Sequence, residues 1–277
     1  MNRLRLRQSM MVVILLFISA NVVSNAQTKA AAKPVASVGA NKREIIRKAR
    51  AAYYNLANHG FVEFQANADP NWGLILEEVV TKDPTVMKML NGIRFTLTYD
   101  SHGKAQLTHR EEVAVPSEKA AALKQIYGAL EQQSAFAFST WSMFMLYSPL
   151  PAETDDFKLE DVNGQYRISF EAGSTNIAIM MSKDYAISEM KTSSQGINSV
   201  LNPKIRKTSQ GFILAGYVAT RTAGNSTEKT NVQMEYVEVD GLQLLSKLTL
   251  DGTLQPAAAG GGFGMGMTFN QYKVKKK

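Results

Sequence analysis

A chain of 277 residues without a single cysteine has no disulfides, no thiolate metal ligands and no cysteine nucleophile, so a packed core must carry its stability. Its 31 Lys and Arg against 24 Asp and Glu give a formal charge of +7. Arg3, Arg5 and Arg7 at one end and the Lys273-Val274-Lys275-Lys276-Lys277 tail at the other supply that excess, which leaves no basic face of the kind a nucleic-acid partner needs.

The chain opens with the three arginines, an apolar run from Met10 to Ile18, and small residues at Ser24 and Ala26. This is the layout of a secretory signal peptide over residues 1–26, cleaved after Ala26 to leave Gln27 first; a retained signal anchor is the competing reading. Residues 27–41 are small, polar and punctuated by Pro34 and Gly39, and read as a flexible linker. Residues 42–277 then form a single domain. Asn41 and Glu44 at capping spacing, apolar positions at Ile45, Ala49, Tyr53 and Leu56, and Gly60 as a stop predict an amphipathic helix across 41–60. A strand over 61–69 follows, and then two short helices broken at Asp83-Pro84.

From Ile93 the apolar period becomes two. The segments 93–100 and 104–111 flank Ser101-His102-Gly103 as a hairpin with Ile93, Phe95, Leu97 and Tyr99 on one face. After residue 155 the same unit recurs, with turns at Asn163-Gly164, Gly173-Ser174 and Lys183-Asp184 and strands over 157–162, 165–172, 176–182 and 185–192. Further strands are expected at 211–222, 230–239, 242–250 and 267–274, with the Gly-rich 257–266 as a flexible connection. Short turns at this density make sequential antiparallel neighbours, and a sheet of ten or so strands curls or closes. The fold class is therefore α+β: a large curled antiparallel sheet, an unclosed half-barrel, with helices over its concave face.

Between hairpin and meander lies a helical stretch. Leu123, Ile126, Tyr127 and Leu130 form a stripe that Ala137, Phe138, Trp141 and Met145 continue, while Phe136, Met143 and Tyr147 occupy another side. Residues 135–147 span roughly 20 Å as helix, short of a bilayer's ~30 Å core. A segment apolar on all sides is buried on all sides, which sets it against or across the mouth of the sheet, either as an ordinary core helix or as the lining of a ligand site.

Signal peptide, N-terminal helix, strands, a helical segment and a long meander ending in Val239-Asp240-Gly241-Leu242 and Ser246-Lys247-Leu248 together resemble the periplasmic lipoprotein carriers (LolA/LolB-like), whose superfamily includes outer-membrane lipoprotein-sorting proteins and lipoprotein receptors. The resemblance covers about residues 42–275. It implies a carrier or receptor that shelters the acyl chains of a lipid or lipidated protein, and membrane-bound donor and acceptor proteins as partners. The candidate cavity residues are Phe136, Phe138, Trp141, Met143, Met145 and Met180. The helical pair at Asp83-Pro84 and the Gly-rich segment depart from the family pattern, and the family's lid-holding arginine has no counterpart here, because Arg94 and Arg167 sit on strands facing solvent.

Catalytic chemistry is not legible. His59, His102 and His109 fall at a helix end, in a turn and on a strand; Glu77-Glu78, Glu111-Glu112 and Asp155-Asp156 are adjacent pairs that diverge in strand or helix. No nucleophile elbow, phosphate loop or HExxH occurs. The expectation is a protein with no cofactor, no metal and no enzymatic activity, soluble in the periplasm or outside the cell. The competing class is an envelope interaction or structural protein built on the same half-barrel.

Overall fold

The computed structural model describes residues 38–76, 81–256 and 262–277, with side chains from residue 41 on. The signal segment and Glu77-Glu78 lie outside the described residues. Short two-residue turns govern the architecture: Asn163-Gly164, Gln195-Gly196 and Asp240-Gly241 each hold both residues at positive φ, the backbone that lets strands of natural twist reverse. Among the described residues twelve antiparallel strands result: β1 (Phe61–Pro70), β2 (Ile93–Asp100), β3 (Ala105–Glu111), β4 (Lys158–Val162), β5 (Gln165–Ala172), β6 (Thr175–Met181), β7 (Ile187–Ser194), β8 (Ile197–Thr208), β9 (Gly211–Ala223), β10 (Ser226–Val239), β11 (Leu242–Gln255) and β12 (Gly262–Lys276). They form one sheet in the order β3-β2-β1-β12-β11-β10-β9-β8-β7-β6-β5-β4. The two edges, β3 and β4, do not meet, so the sheet is an open β half-barrel.

Among the described residues four α-helices accompany it: α1 (Val38–Ala51), α2 (Trp72–Ile75), α3 (Pro84–Asn91) and α4 (Ser117–Met145). The breaker at Asp83-Pro84 acts as expected. Asp83 caps α3 by accepting from the Thr85 and Val86 amides, and Pro84 occupies the first turn, where a missing N–H is harmless.

Three expectations need correction. The helix expected across 41–60 begins earlier, at Val38 within the expected linker, and ends at Ala51. There the backbone leaves it to pair with β9: the Phe212 amide donates to the Ala52 carbonyl at 2.8 Å and the Tyr54 amide to the Phe212 carbonyl at 2.9 Å. Gly60, at φ 76, stops a separate 3-10 turn (Leu56–His59) instead. Glu44 sits mid-helix and pairs with Arg47 at 2.6 Å.

The second correction is β8, a strand the sequence reading did not find. Pro203 argues against an interior strand, because it cannot donate to a ladder. The structure resolves the conflict by register: β7 pairs with β8 only through Leu201, whereas β9 pairs along its whole length, so Pro203 lies where β8 has a neighbour on one side.

The third correction concerns the Gly-rich run. Residues 257–261 lie outside the described residues, but Gly262 to Gly266 are strand, not connection. A Cβ on Gly264 would lie 3.0 Å from the Leu74 carbonyl oxygen, and one on Gly266 would lie 2.8 Å from Leu74 Cδ1. The glycines let α2 rest directly on β12, whose other face sends Met265 and Met267 into the core.

Candidate functional site

The interior is built by cross-strand rows. Residues opposite one another in a ladder share a face, so the pairings place Ile168, Ile179, Met190, Leu201, Ala219 and Thr230 in one row across β5 to β10. Ile168, Ile179 and Met190 are buried, which identifies this as the inner face. Beside it runs a second inner row of Phe170, Ile177, Thr192, Ser199, Arg221 and Glu228. Every member of the second row is half-buried, so here the inner face opens toward solvent.

Helix α4 lies along the other side of this opening. Its buried stripe, Leu123, Ile126, Leu130, Ala137, Phe138, Trp141 and Met145, meets the sheet as the periodicity predicts. Phe138 and Trp141 close around Tyr99 at 5.6 and 5.0 Å between ring centroids, and Phe138 meets Phe269 at 5.7 Å. The hydroxyls that interrupt the apolar segment are anchors. Ser142 donates to the Phe138 carbonyl at 2.5 Å, so its oxygen accepts from the Tyr99 hydroxyl at 2.6 Å. The Trp141 indole donates to the Tyr236 hydroxyl at 3.0 Å, which in turn donates to the Leu214 carbonyl at 2.5 Å. Burial pushes the phenols of Tyr99, Tyr217 and Tyr236 well above their ordinary value of 10, so each remains a neutral donor. The Tyr217 hydroxyl lies toward Thr140 without closing a hydrogen bond of ordinary geometry.

The expectation that residues 135–147 are buried on all sides is corrected. Ala135 and Ser139 are exposed, Tyr147 is 44% exposed, and Phe136 and Met143 are half-buried. An open half-barrel wraps only part of a helix. Positions 136, 140 and 143 share one flank, and since Phe136 lines one recess with Glu228 and Thr230 while Thr140 lies by Tyr217, that flank faces β9 and β10. Of the expected cavity residues, Phe138, Trp141 and Met145 are fully enclosed between α4 and the sheet. Phe136 and Met143 border the opening. Met180 is set apart: it pairs with Arg167 and Glu189, outward positions opposite in parity to Ile179, so it belongs to the outer face.

Where α4 approaches β10 to β12, a recess with about 10 Å³ available to a water's centre is lined by Gln132, Gln133, Phe136, Glu228, Thr230 and Leu250, with Phe263 beyond. That is room for about one water and far too little for an acyl chain. Gln133 is only 6% exposed, and its side-chain oxygen has no hydrogen-bond partner. Burial raises the Glu228 carboxyl above its ordinary value of 4.5, opposed by the charge of Arg221 on the neighbouring strand. Phe263 fits because its partner across the ladder is Gly252, where a Cβ would fall 2.3 Å from Phe263 Cζ. Sequence reasoning passed over Gln133, Glu228 and Thr230. The signal was present: Gln133 falls three residues after Leu130 on the apolar stripe, and Glu228 and Thr230 share the parity of Val232 and Met234.

The histidines do not converge on this site. His59 stacks on Tyr54 at 4.7 Å, His109 meets Tyr127 at 3.8 Å, and His102 occupies the β2–β3 turn. Among the described residues no group of three or more His, Asp or Glu side chains could hold a metal ion, and no helix is long and apolar enough to cross a membrane. Arg94 and Arg167 are exposed, as expected.

The fold and site together define a β half-barrel lidded by one long helix. No family model and no curated protein matches the chain. Among solved structures it has a faint likeness to MucB, from a crystal structure of MucB in complex with MucA(peri), at 9% identity and a TM-score of 0.15 over 86% of this chain and 100% of that one. A likeness at that level carries no argument about fold or function, and the description above rests on the strands and their register.

Proposed function

We propose that this protein is a non-enzymatic carrier or receptor that shelters the acyl chains of a lipid or lipidated protein, acting in the periplasm or outside the cell after removal of residues 1–26. One observation carries the reading: the half-buried apolar side chains Phe136 and Met143 of α4 face a sheet whose inner row, with Phe170 and Ile177, is also left half-buried. Acyl chains laid between these walls would gain ~0.8 kcal/mol per buried CH₂ without any catalytic group. The recess holds no more than a water, so a chain binds along the opening or by displacing the α4 flank. Membrane-bound donors and acceptors are the partners such a carrier needs.

The test is native mass spectrometry of the purified mature protein. Co-purified lipid that is lost in Met143→Asp supports the carrier. A protein that carries no lipid and takes up none from mixed vesicles would instead be an envelope interaction protein, the reading favoured by an interior already filled with side chains.

A further inference from the structure

The sheet ends in two strands of unequal chemistry, β3 and β4. Along β3 the ladder to β2 runs from Ala105 to Glu111 without a bulge or a proline, so its far side is a flat row of backbone groups, the usual template for another strand. The turn decides which groups these are. The Asp100 amide donates to the Lys104 carbonyl and the Glu112 amide to the Gly92 carbonyl, so by alternation the even-numbered residues of β3 bond to β2. Ala105, Leu107, His109 and Glu111 therefore turn their N–H and C=O groups to the free edge. Gln106 and every residue from Thr108 to Glu111 are exposed.

We infer that β3 is the interface of a homodimer, in which the β3 strands of two copies pair antiparallel about a two-fold axis at Thr108 and join two half-barrels into one continuous sheet. In this register Leu107 of each copy lies opposite His109 of the other and Ala105 opposite Glu111, so every outward amide meets an outward carbonyl. The charges agree with it. Gln106 falls opposite Arg110 and, one step beyond the strand, Lys104 falls opposite Glu112, so opposite charges meet and like charges do not. The other edge lacks this complementarity: β4 is shorter, the same operation about its centre sets Glu160 against Glu160, and a shift toward its turn sets Asp161 against Asp161. One edge thus accepts a second copy and the other repels it. The interface stands apart from the α4 flank of Phe136 and Met143, which faces β9 and β10, and does not depend on the carrier reading.

The experiment is sedimentation equilibrium of the mature chain, Gln27 to Lys277, at concentrations up to about 100 μM, enough to populate the weak dimer that a small interface gives. The parent should form a dimer and nothing larger. Thr108→Lys and Thr108→Glu each set like charges against one another on the axis, at an exposed position where circular dichroism should stay native. Each should weaken self-association by about tenfold or more. Mixed in equal amounts, the two variants should pair with each other at the parent's strength. Glu160→Lys, on the β4 edge, should leave the dimer unchanged. A parent that stays monomeric overturns the interface, and so do assemblies larger than a dimer. Charge variants that dimerise like the parent, a mixture that stays monomeric, or a dimer lost in Glu160→Lys overturn it as well.

Discussion

Trp141 and Tyr236 are joined by an indole-to-phenol hydrogen bond of 3.0 Å that ties the middle of α4 to β10, and the Tyr236 hydroxyl in turn donates a hydrogen bond to the Leu214 carbonyl on β9. Three elements are thus pinned at one buried point. Tyr236→Phe keeps the ring but strands two partners, the indole N–H and the carbonyl. We expect a loss of about 2 to 4 kcal/mol, since each buried unsatisfied group is worth about 1 to 3. Urea unfolding at unchanged m-value reads it out. A loss below about 0.5 kcal/mol would mean that α4 is not held at this point.

Met143 and Phe138 test which side of α4 meets ligand. Met143→Asp, on the half-buried flank, should fold and lose acyl ligand. Phe138→Asp places an unpaired carboxylate at a fully enclosed position and should give no folded protein, a penalty above about 4 kcal/mol. Circular dichroism and lipid binding distinguish the outcomes. A folded Met143→Asp protein that binds lipid as well as the parent removes this flank from the site.

Gly216 allows β9 to bulge against β8, where Lys204 pairs with Gly216 and Ile205 skips to Leu214. Its φ is 150 and a Cβ there would lie 2.3 Å from the Val232 carbonyl oxygen. Gly216→Ala should destabilise by about 3 kcal/mol, from backbone strain together with a clash that cannot relax into a side chain. Thermal unfolding against the parent checks it, and an unchanged melting temperature contradicts the bulge.

Glu228 makes stability depend on pH in the direction opposite to most carboxylates. Burial raises its folded pKa above the ordinary 4.5, so the folded state binds the proton more tightly than the unfolded chain does. The group is neutral in both states below the unfolded value and imposes no penalty there. As pH rises through the unfolded and then the folded pKa, stability is lost. Glu228→Gln should therefore raise the melting temperature near pH 7.5 and leave it close to the parent's near pH 3.5. A gain of equal size at both pH values would show that charge is not the cause.

The long periodic elements were readable because a single period fixes a face. Ile93, Phe95, Leu97 and Tyr99 are all buried as the alternation requires, and the stripe from Leu123 to Met145 meets the sheet over its full length. What escaped was decided by contacts distant in sequence. Pro203 sits in a strand because β7 stops short of it, and Gly264 and Gly266 sit in a strand because α2 needs their missing side chains. Ala52 to Tyr54 abandon a helical pattern for hydrogen bonds to Phe212, a residue far along the chain. The candidate site divides in the same way. Phe138, Trp141 and Met145 followed from helical period, whereas the outward placement of Met180 depends on which parity of β6 faces the core, and two apolar parities look alike. Gln133 and Glu228 were not singled out, since Gln133 is polar within an apolar helix stripe and Glu228 precedes the strand expected from residue 230.

The placement of β1 between β2 and β12 has a consequence for how the molecule assembles. Phe61 pairs with Lys276, and Asn67 donates to Gln271, 204 residues further on. Strands β1 to β3 therefore have no neighbour on that side until β12 is free to join them. Strands β4 to β12 can zip hairpin by hairpin, but closing the seam between β1 and β12 joins segments about 200 residues apart, contacts of high sequence separation and hence of the slow kind. A chain threaded through a membrane pore could not complete this sheet until β12 had cleared it, because β1 has its second neighbour only there.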